Sequence, residues 1–187
     1  MNHAAILKAP GAQIALNYQH ETFEKAARNT LSRAGTLGYD VGLALGPFRM
    51  GFGADIGFAH PNGHILQDTV AIENRNVSHG DAYLSAGIIV PLWATYLEPY
   101  VNWGYSGFDL VADPGPPQRD FDLGDGGYME YGLKTAIPIH HDDAGIIGVG
   151  LGLGKRRYSN GGTRHYDGDS NIFQLGFVAT GWLIHGK

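Results

Sequence analysis

The 187-residue sequence predicts an all-β fold: an eight-stranded antiparallel up-and-down β-barrel that crosses a membrane. Three observations predict it. Apolar residues alternate with small or polar residues in eight segments, which is the pattern of strands with two different faces. The connections between these segments alternate between long and short. The face opposite the apolar one is rich in glycine, of which the chain has 29.

The segment PFRMGFGADIGF shows the alternation most clearly. Phe48, Phe52 and Phe58 fall on one face, whereas Arg49 and Asp55 fall on the other face together with three glycines. Seven further segments repeat the pattern, in order, around Ile14/Leu16/Tyr18, Leu37/Tyr39/Val41, Leu84/Ile88/Val90, Val101/Trp103/Tyr105, Met129/Tyr131/Leu133, Val149/Leu151/Leu153 and Phe173/Leu175/Phe177. The predicted strands of this single domain, residues 1–187, are roughly 13–19, 37–45, 48–58, 82–92, 99–108, 128–137, 146–155 and 172–183.

The connection lengths predict how the strands are arranged. Long connections are expected at 20–36, 59–81, 109–127 and 155–171, and short ones at 46–47, 93–98 and 138–145. Antiparallel neighbours joined in this way place every long loop at one rim and every tight turn at the other, which is the layout of bacterial transmembrane barrels. Within the first loop, residues 24–33 are mostly helix formers between Thr22, a suitable cap, and Gly35, so a short helix is predicted there.

The composition of the two faces predicts which of them points inward. Glycine packs poorly in a strand, so a water-facing row at 148, 150, 152 and 154 would be unfavourable, whereas small residues leave room inside a narrow barrel. The glycine face is therefore predicted to line the lumen. Its charged residues are predicted to form a lumen charge network of Asp40, Arg49, Asp55, Glu130 and Lys134. A soluble barrel with the reverse orientation, binding a small apolar ligand, stays open as an alternative.

Aromatic residues near both ends of the strands predict two girdles at the membrane interfaces. One girdle is expected at the short-turn rim, from Phe48, Trp93, Tyr96 and Trp182. The other is expected at the long-loop rim, from Tyr18, Phe58, Tyr105, Phe108, Tyr131, Tyr158 and Phe173.

Charge and composition exclude several function classes. The net charge of −5 and the lack of an extended Lys/Arg stripe argue against a nucleic-acid partner. The chain has no cysteine, and its histidines lack the spacing of a metal site, so neither a metal nor another cofactor is predicted. The opening residues MNHAAILKAPGAQ lack the basic start and apolar centre of a signal peptide. An exported chain would therefore have lost its signal peptide already.

In strand number and loop pattern the chain resembles the eight-stranded bacterial outer-membrane barrels of the OmpA and OmpX type. The resemblance covers the whole length and implies an outer-membrane protein, porin-like in architecture but non-enzymatic, with a lumen filled by side chains. The implied partners are membrane lipids, lipopolysaccharide and proteins that bind the long loops at the cell surface. Phosphates of lipopolysaccharide would be contacted by Arg156, Arg157 and Arg164, since guanidinium groups pair well with phosphate.

A local resemblance raises an enzymatic alternative. The segment RRYSNGGTRHYDGDSNIFQLGF, together with EPYVNWG, is similar to the PagL-like lipid A deacylases. The resemblance implies Ser159 as the nucleophile of a lipid A-modifying acyl hydrolase. Arg157 stands where the family has its catalytic histidine, and arginine cannot take a proton, so His165 would have to act as the base. Asp169 would supply the acidic partner. The non-enzymatic function is favoured.

Overall fold

The computed structural model describes residues 10–24, 31–61, 65–67, 70–72, 77–93, 95–110, 122–142, 145–159 and 168–182. Within these ranges no helix is long and apolar enough to cross a membrane. The strands are β1 (Pro10–Phe23), β2 (Leu31–Leu45), β3 (Phe48–Pro61), β4 (Ile65–Gln67), β5 (Val70–Ile72), β6 (Val77–Ile88), β7 (Val90–Leu92), β8 (Thr95–Leu110), β9 (Asp122–His141), β10 (Gly145–Ser159) and β11 (Gly168–Trp182).

Eight of these strands close into a barrel. The hydrogen-bonded order is β1-β2-β3-β6-β8-β9-β10-β11, and β11 pairs again with β1, so every neighbour is antiparallel. Leu16 in β1, for example, lies opposite Tyr39 on one side and Phe177 on the other. Strand β7 continues β6 along β8, and β4 pairs with β5 as a separate small hairpin. Closure leaves no unpaired edge among the eight barrel strands.

Tight turns connect the strands at one end, which we call the turn rim; the other end is the loop rim. Only Gly46 and Pro47 separate β2 from β3, and Gly46 has a φ of 61°, a backbone conformation that glycine adopts without strain. The backbone N–H of Ile89, between β6 and β7, donates to the Pro47 carbonyl at 2.7 Å. This bond ties the turn to the neighbouring strand.

The wall is apolar outside and charged inside. The outward side chains Phe52, Leu84 and Leu153 are 53%, 66% and 65% exposed, respectively. The inward side chains Arg49 and Arg156 are only 2% and 0% exposed. This distribution confirms the predicted barrel with the glycine face inside, and it is the reverse of a soluble barrel.

The strands are longer than their apolar pattern indicated, mainly at the loop rim. Strand β2 begins at Leu31 rather than 37, β6 at Val77 rather than 82, and β10 continues to Ser159 rather than 155. The backbone ladder continues there while the outward residues become polar, so hydropathy could not locate these ends. The predicted helix at 24–33 is wrong for residues 31–33, which belong to β2; residues 25–30 lie outside the described part.

The predicted girdles are partly wrong. Tyr96, Phe108 and Tyr158 point into the lumen with 4%, 0% and 4% exposure, because each lies two residues from another inward side chain on its strand. The side chain of Trp182 lies outside the described part. The outward members are Phe48 and Trp93 at the turn rim, and Tyr18, Phe58, Tyr105, Tyr131 and Phe173 towards the loop rim.

Candidate functional site

The half of the lumen nearer the turn rim holds a charge cluster around Arg49 of β3, which we call the lower cluster. Its guanidinium pairs with Asp40 of β2, and its Nη1 lies 3.3 Å from Oε1 of Glu98 on β8. Nη1 also donates to the hydroxyl of Ser85 at 3.0 Å. Lys134 of β9 places its Nζ 3.7 Å from the Asp40 carboxylate. Side chains from five strands, β2, β3, β6, β8 and β9, thus meet across the barrel near the turn rim.

The half of the lumen nearer the loop rim holds a second cluster around Arg156 of β10, which we call the upper cluster. Its Nη1 lies 2.6 Å from Oδ2 of Asp81 and 3.4 Å from Oε2 of Glu21. Its Nε and Nη2 donate to Oε2 of Glu130 at 3.0 and 2.8 Å. A single guanidinium therefore joins carboxylates from β1, β6 and β9, all of them at most 5% exposed. Such a buried network is tolerable only when its members satisfy each other.

Aromatic rings and hydroxyl groups complete the upper cluster. The Arg156 guanidinium lies 4.0 Å from the ring centroid of Tyr128, within cation–π range. Tyr158 donates its hydroxyl to Glu21 at 2.6 Å, and Tyr100 donates to Glu130 at 2.7 Å. These contacts hold the carboxylates in place and fill the lumen between them.

The inward glycines provide space for these large side chains. A Cβ added at Gly42 would lie 2.5 Å from Nε of Arg49, and one at Gly154 would lie 2.6 Å from the Tyr100 hydroxyl. A Cβ at Gly38 would collide with the Asp55 carboxylate. A side chain at any of these positions would force the lumen side chain beside it to move, because that side chain already occupies the volume.

The described lumen carries more negative than positive charge. Its charged side chains are the carboxylates Glu21, Asp40, Asp55, Asp81, Glu98 and Glu130 and the cations Arg49, Lys134 and Arg156. Asp55 lies directly opposite Asp81, and its buried Oδ2 has no hydrogen-bond partner in the described part of the chain. Its neighbour Asp81 instead contacts His79, whose Nε2 lies 2.9 Å from the carboxylate and 3.0 Å from the Ser106 hydroxyl.

All five residues of the predicted lumen network point inward, but the structure divides them between two clusters. Asp40, Arg49 and Lys134 belong to the lower cluster, Glu130 to the upper one, and Asp55 stands beside it. Sequence reasoning missed Glu21, Asp81, Glu98, Arg156 and His79. All five lie one to three residues outside the predicted strands, yet continuing the period of two through those positions would have placed them inside.

The described cavity beside the lower cluster is small. A cavity lined by Gln13, Asp40, Arg49, Lys134 and Gln174 measures about 30 Å³, roughly the volume of one water molecule. Among the described residues, no three histidine, aspartate or glutamate side chains are placed to share a metal ion. Chemically, the arrangement is suited to plugging the barrel.

The loop rim carries a separate network of ion pairs on the outer surface. Arg157 donates through Nε to Asp169 at 2.8 Å, and Lys155 bridges Asp169 at 3.0 Å and Glu24 at 3.1 Å. These residues lie beyond the apolar band, at the loop rim. The hydrogen bonds from Arg157 and then Lys155 lower the pKa of Asp169 to about 2.

The predicted contribution of Arg156 to phosphate binding is wrong. Arg156 alternates with Arg157 along β10, so the two side chains point to opposite faces, and Arg156 is enclosed in the lumen. Arg157 remains outward, with a side chain that is 66% exposed. Arg164 lies outside the described residues.

The predicted catalytic residues are not brought together in the described structure. The Ser159 hydroxyl donates to the Gly127 carbonyl at 3.0 Å, while Asp169 is held by Arg157 and Lys155. His165 lies outside the described residues. A serine nucleophile requires a base that takes its proton. In the described part of the chain, neither Asp169 nor a histidine contacts the Ser159 hydroxyl.

No protein-family model matches the sequence, and no curated protein matches it significantly. Solved structures, by contrast, do match the fold of this chain. Neisserial surface protein A superposes with a TM-score of 0.61 at 5% identity, covering 92% of this chain and 96% of that one. This is the fold of the eight-stranded outer-membrane barrels.

Two further solved barrels align over most of their length. The N-terminal barrel domain of Pseudomonas aeruginosa OprF matches at 14% identity and a TM-score of 0.45, covering 91% of this chain and 96% of that one. The outer membrane protein AlkL matches at 12% identity and a TM-score of 0.41, covering 96% of this chain and 93% of that one. At such identities these similarities concern the fold, and none of them supports the resemblance to lipid A deacylases.

Proposed function

We propose that the chain is an integral protein of the bacterial outer membrane, without enzymatic activity, whose closed lumen stops passage and whose loop rim contacts lipids and other macromolecules. The observation that carries this proposal is the inverted wall. Phe52 and Leu84 are more than half exposed outside, whereas Arg49, Arg156 and Glu130 are sealed inside. Hydrocarbon is the solvent that suits such a surface.

The extent of the apolar surface supports this location. Soluble monomers rarely expose contiguous apolar patches larger than a few hundred Å². Here outward apolar side chains cover all eight barrel strands, and aromatic residues lie at both ends of the band. A soluble barrel that holds an apolar ligand would need the opposite arrangement, so that alternative is not supported.

The lumen supports a plugged rather than a conducting barrel. Arg49 and Arg156 join the walls at two levels, and the cavity beside Arg49 has room for about one water molecule. An eight-stranded barrel is only wide enough for its side chains to fill. A steady aqueous path would require both clusters to open.

At the loop rim, the exposed arginine and lysine side chains of β10 support contact with phosphorylated lipids. Arg157 and Lys155 lie just beyond the apolar band, at the level where lipid headgroups begin. Their pairing with Asp169 reduces the charge they offer to a phosphate. Ser159, on the same strand, supports no hydrolase function, because no base contacts it in the described structure.

The proposal is tested on the full chain folded in detergent and reconstituted in lipid vesicles. We expect heat-modifiable migration on gels, loss of monodispersity without detergent, and no steady conductance in planar bilayers. Lipid A mass spectra should be the same in cells expressing the wild type and Ser159→Ala. Monodispersity in plain buffer would overturn the membrane assignment. Removal of an acyl chain by the wild type alone would overturn the non-enzymatic one.

A further inference from the structure

A groove of about 750 Å³ crosses the outer wall near the loop rim, along β1, β2, β3, β6 and β8. Its walls include the outward side chains of Leu37, Ile56 and Phe58, which are 66%, 74% and 54% exposed. Its floor includes Gly80 and Gly107, which are neighbours across the β6–β8 ladder. The groove is therefore an apolar depression on the face that meets hydrocarbon.

The depression is open because Gly80 has no side chain and no other described residue fills its place. The nearest heavy atom to an added Cβ at Gly80 would be the Asp55 carbonyl oxygen, 3.9 Å away. The inward glycines Gly42 and Gly154, by contrast, are crowded by lumen side chains. A void against this wall would forfeit dispersion contacts, so a hydrocarbon chain should fill it.

A guanidinium group stands at the upper end of the groove. Arg33 lies two residues before Gly35 of the groove lining, and it is outward and exposed. Among the described residues, Arg33 has no carboxylate partner, whereas Lys155 and Arg157 share Asp169. His60 lies opposite Arg33 on β3 and is also exposed. An exposed arginine above an apolar groove, with no carboxylate partner in the described part of the chain, is complementary to a lipid with a phosphate at its headgroup.

We propose that this groove binds an acyl chain of a phosphorylated glycolipid of the lipid A type, and that Arg33 holds its phosphate. The inference rests on the proposed function, because the groove meets the outer leaflet only if the loop rim faces outward. It places the acyl-chain site on β1–β3, β6 and β8, separate from the lipid contact proposed above for Arg157 and Lys155 on β10.

The test uses the full chain, folded in detergent, with native mass spectrometry to count bound lipid. Three probes are compared: bis-phosphorylated hexa-acyl lipid A, the same lipid without phosphates, and phosphatidylglycerol. Gly80→Leu fills the groove. Gly181→Leu is the matched control, because it also adds a leucine at an outward glycine. An added Cβ would meet no described heavy atom within 4 Å at Gly181 and only the Asp55 carbonyl oxygen, at 3.9 Å, at Gly80. Arg33→Gln removes the phosphate contact, and Arg157→Gln probes the other rim.

We expect lipid A to bind the wild type and Gly181→Leu equally. Gly80→Leu should weaken binding by about fourfold, the equivalent of one buried methylene. Arg33→Gln should weaken it by about tenfold, and removal of the phosphates should abolish the effect of this substitution. Because Arg33 is exposed, its variant should fold even if Gly80→Leu does not.

Three outcomes would overturn the assignment. The first is equal binding by the wild type and Arg33→Gln, the second is a loss that follows Arg157→Gln instead, and the third is stronger binding of phosphatidylglycerol than of lipid A. Heat-modifiable migration of each variant is recorded in parallel. A folded, detergent-dependent barrel that fails these binding tests would refute the groove alone, whereas a chain that never enters detergent or lipid would refute the proposed function.

Discussion

Arg156→Met should strongly destabilise the barrel. Arg156 is fully buried and is paired with Glu21, Asp81 and Glu130. Methionine keeps much of the length and apolar volume of arginine, but it leaves three buried carboxylates without their shared cation. Removing one partner of a buried ion pair costs about 3–5 kcal/mol. With a slope of about 2 kcal/mol per M urea, the unfolding midpoint should fall by roughly 2 M.

The adjacent residue provides the control. Arg157→Gln removes an arginine one position along the same strand, but its side chain is 66% exposed and pairs with Asp169 at the surface. Surface ion pairs contribute little, so its unfolding midpoint should barely move. Both variants are unfolded by urea in detergent micelles and followed by tryptophan fluorescence and by heat-modifiable migration.

A second substitution tests the stated cause. Adding Glu130→Gln to Arg156→Met removes one uncompensated carboxylate, so the double variant should recover part of the lost stability. Equal midpoints for Arg156→Met and Arg157→Gln would refute the argument that the lumen network carries this stability. A double variant less stable than Arg156→Met would refute charge imbalance as the reason.

Three further predictions follow from the wall, the glycines and the rim. Leu84→Arg places a charge near the middle of the outer face and should cost about 2–4 kcal/mol in lipid, measured by reversible unfolding in vesicles; an unchanged midpoint would contradict the assigned membrane face. Gly154→Ala should destabilise the barrel by about 1–3 kcal/mol, because the added Cβ would lie 2.6 Å from the Tyr100 hydroxyl. Gly150→Ala should be tolerated, because its Cβ would lie 3.8 Å from the nearest described side-chain atom. Similar urea midpoints for the two variants would argue against crowding as the cause. Because the pKa of Asp169 is lowered to about 2 by Arg157 and Lys155, its contribution to stability is present above the ordinary carboxyl pKa of about 4 and is lost as the pH falls through 2. Asp169→Asn should therefore show a smaller drop in urea midpoint between pH 5 and pH 2 than the wild type, and equal drops would exclude this contribution.

Local alternation was enough to predict the barrel and the direction of its faces. A residue at position i and one at i+2 share a face of any strand, so the sequence alone places Arg49 and Asp55 with the glycines of β3. The same rule, continued past the apolar segments, would have placed Arg156 and Tyr158 inside. Those errors arose at strand ends, where polar outward residues conceal the continuing ladder.

Which charges meet inside the barrel depends on contacts between distant parts of the chain. Glu21 and Arg156 are 135 positions apart, and they come together only because β1 closes on β11 in a defined register. A shift of one strand by two residues would keep every side chain on its face yet separate Arg156 from Asp81 or Glu130. The sequence alone therefore predicted a charged lumen, whereas its division into two clusters and the groove beside Gly80 follow from strand register and closure. Alternation fixes the face of each side chain, but a register shifted by two residues has the same alternation.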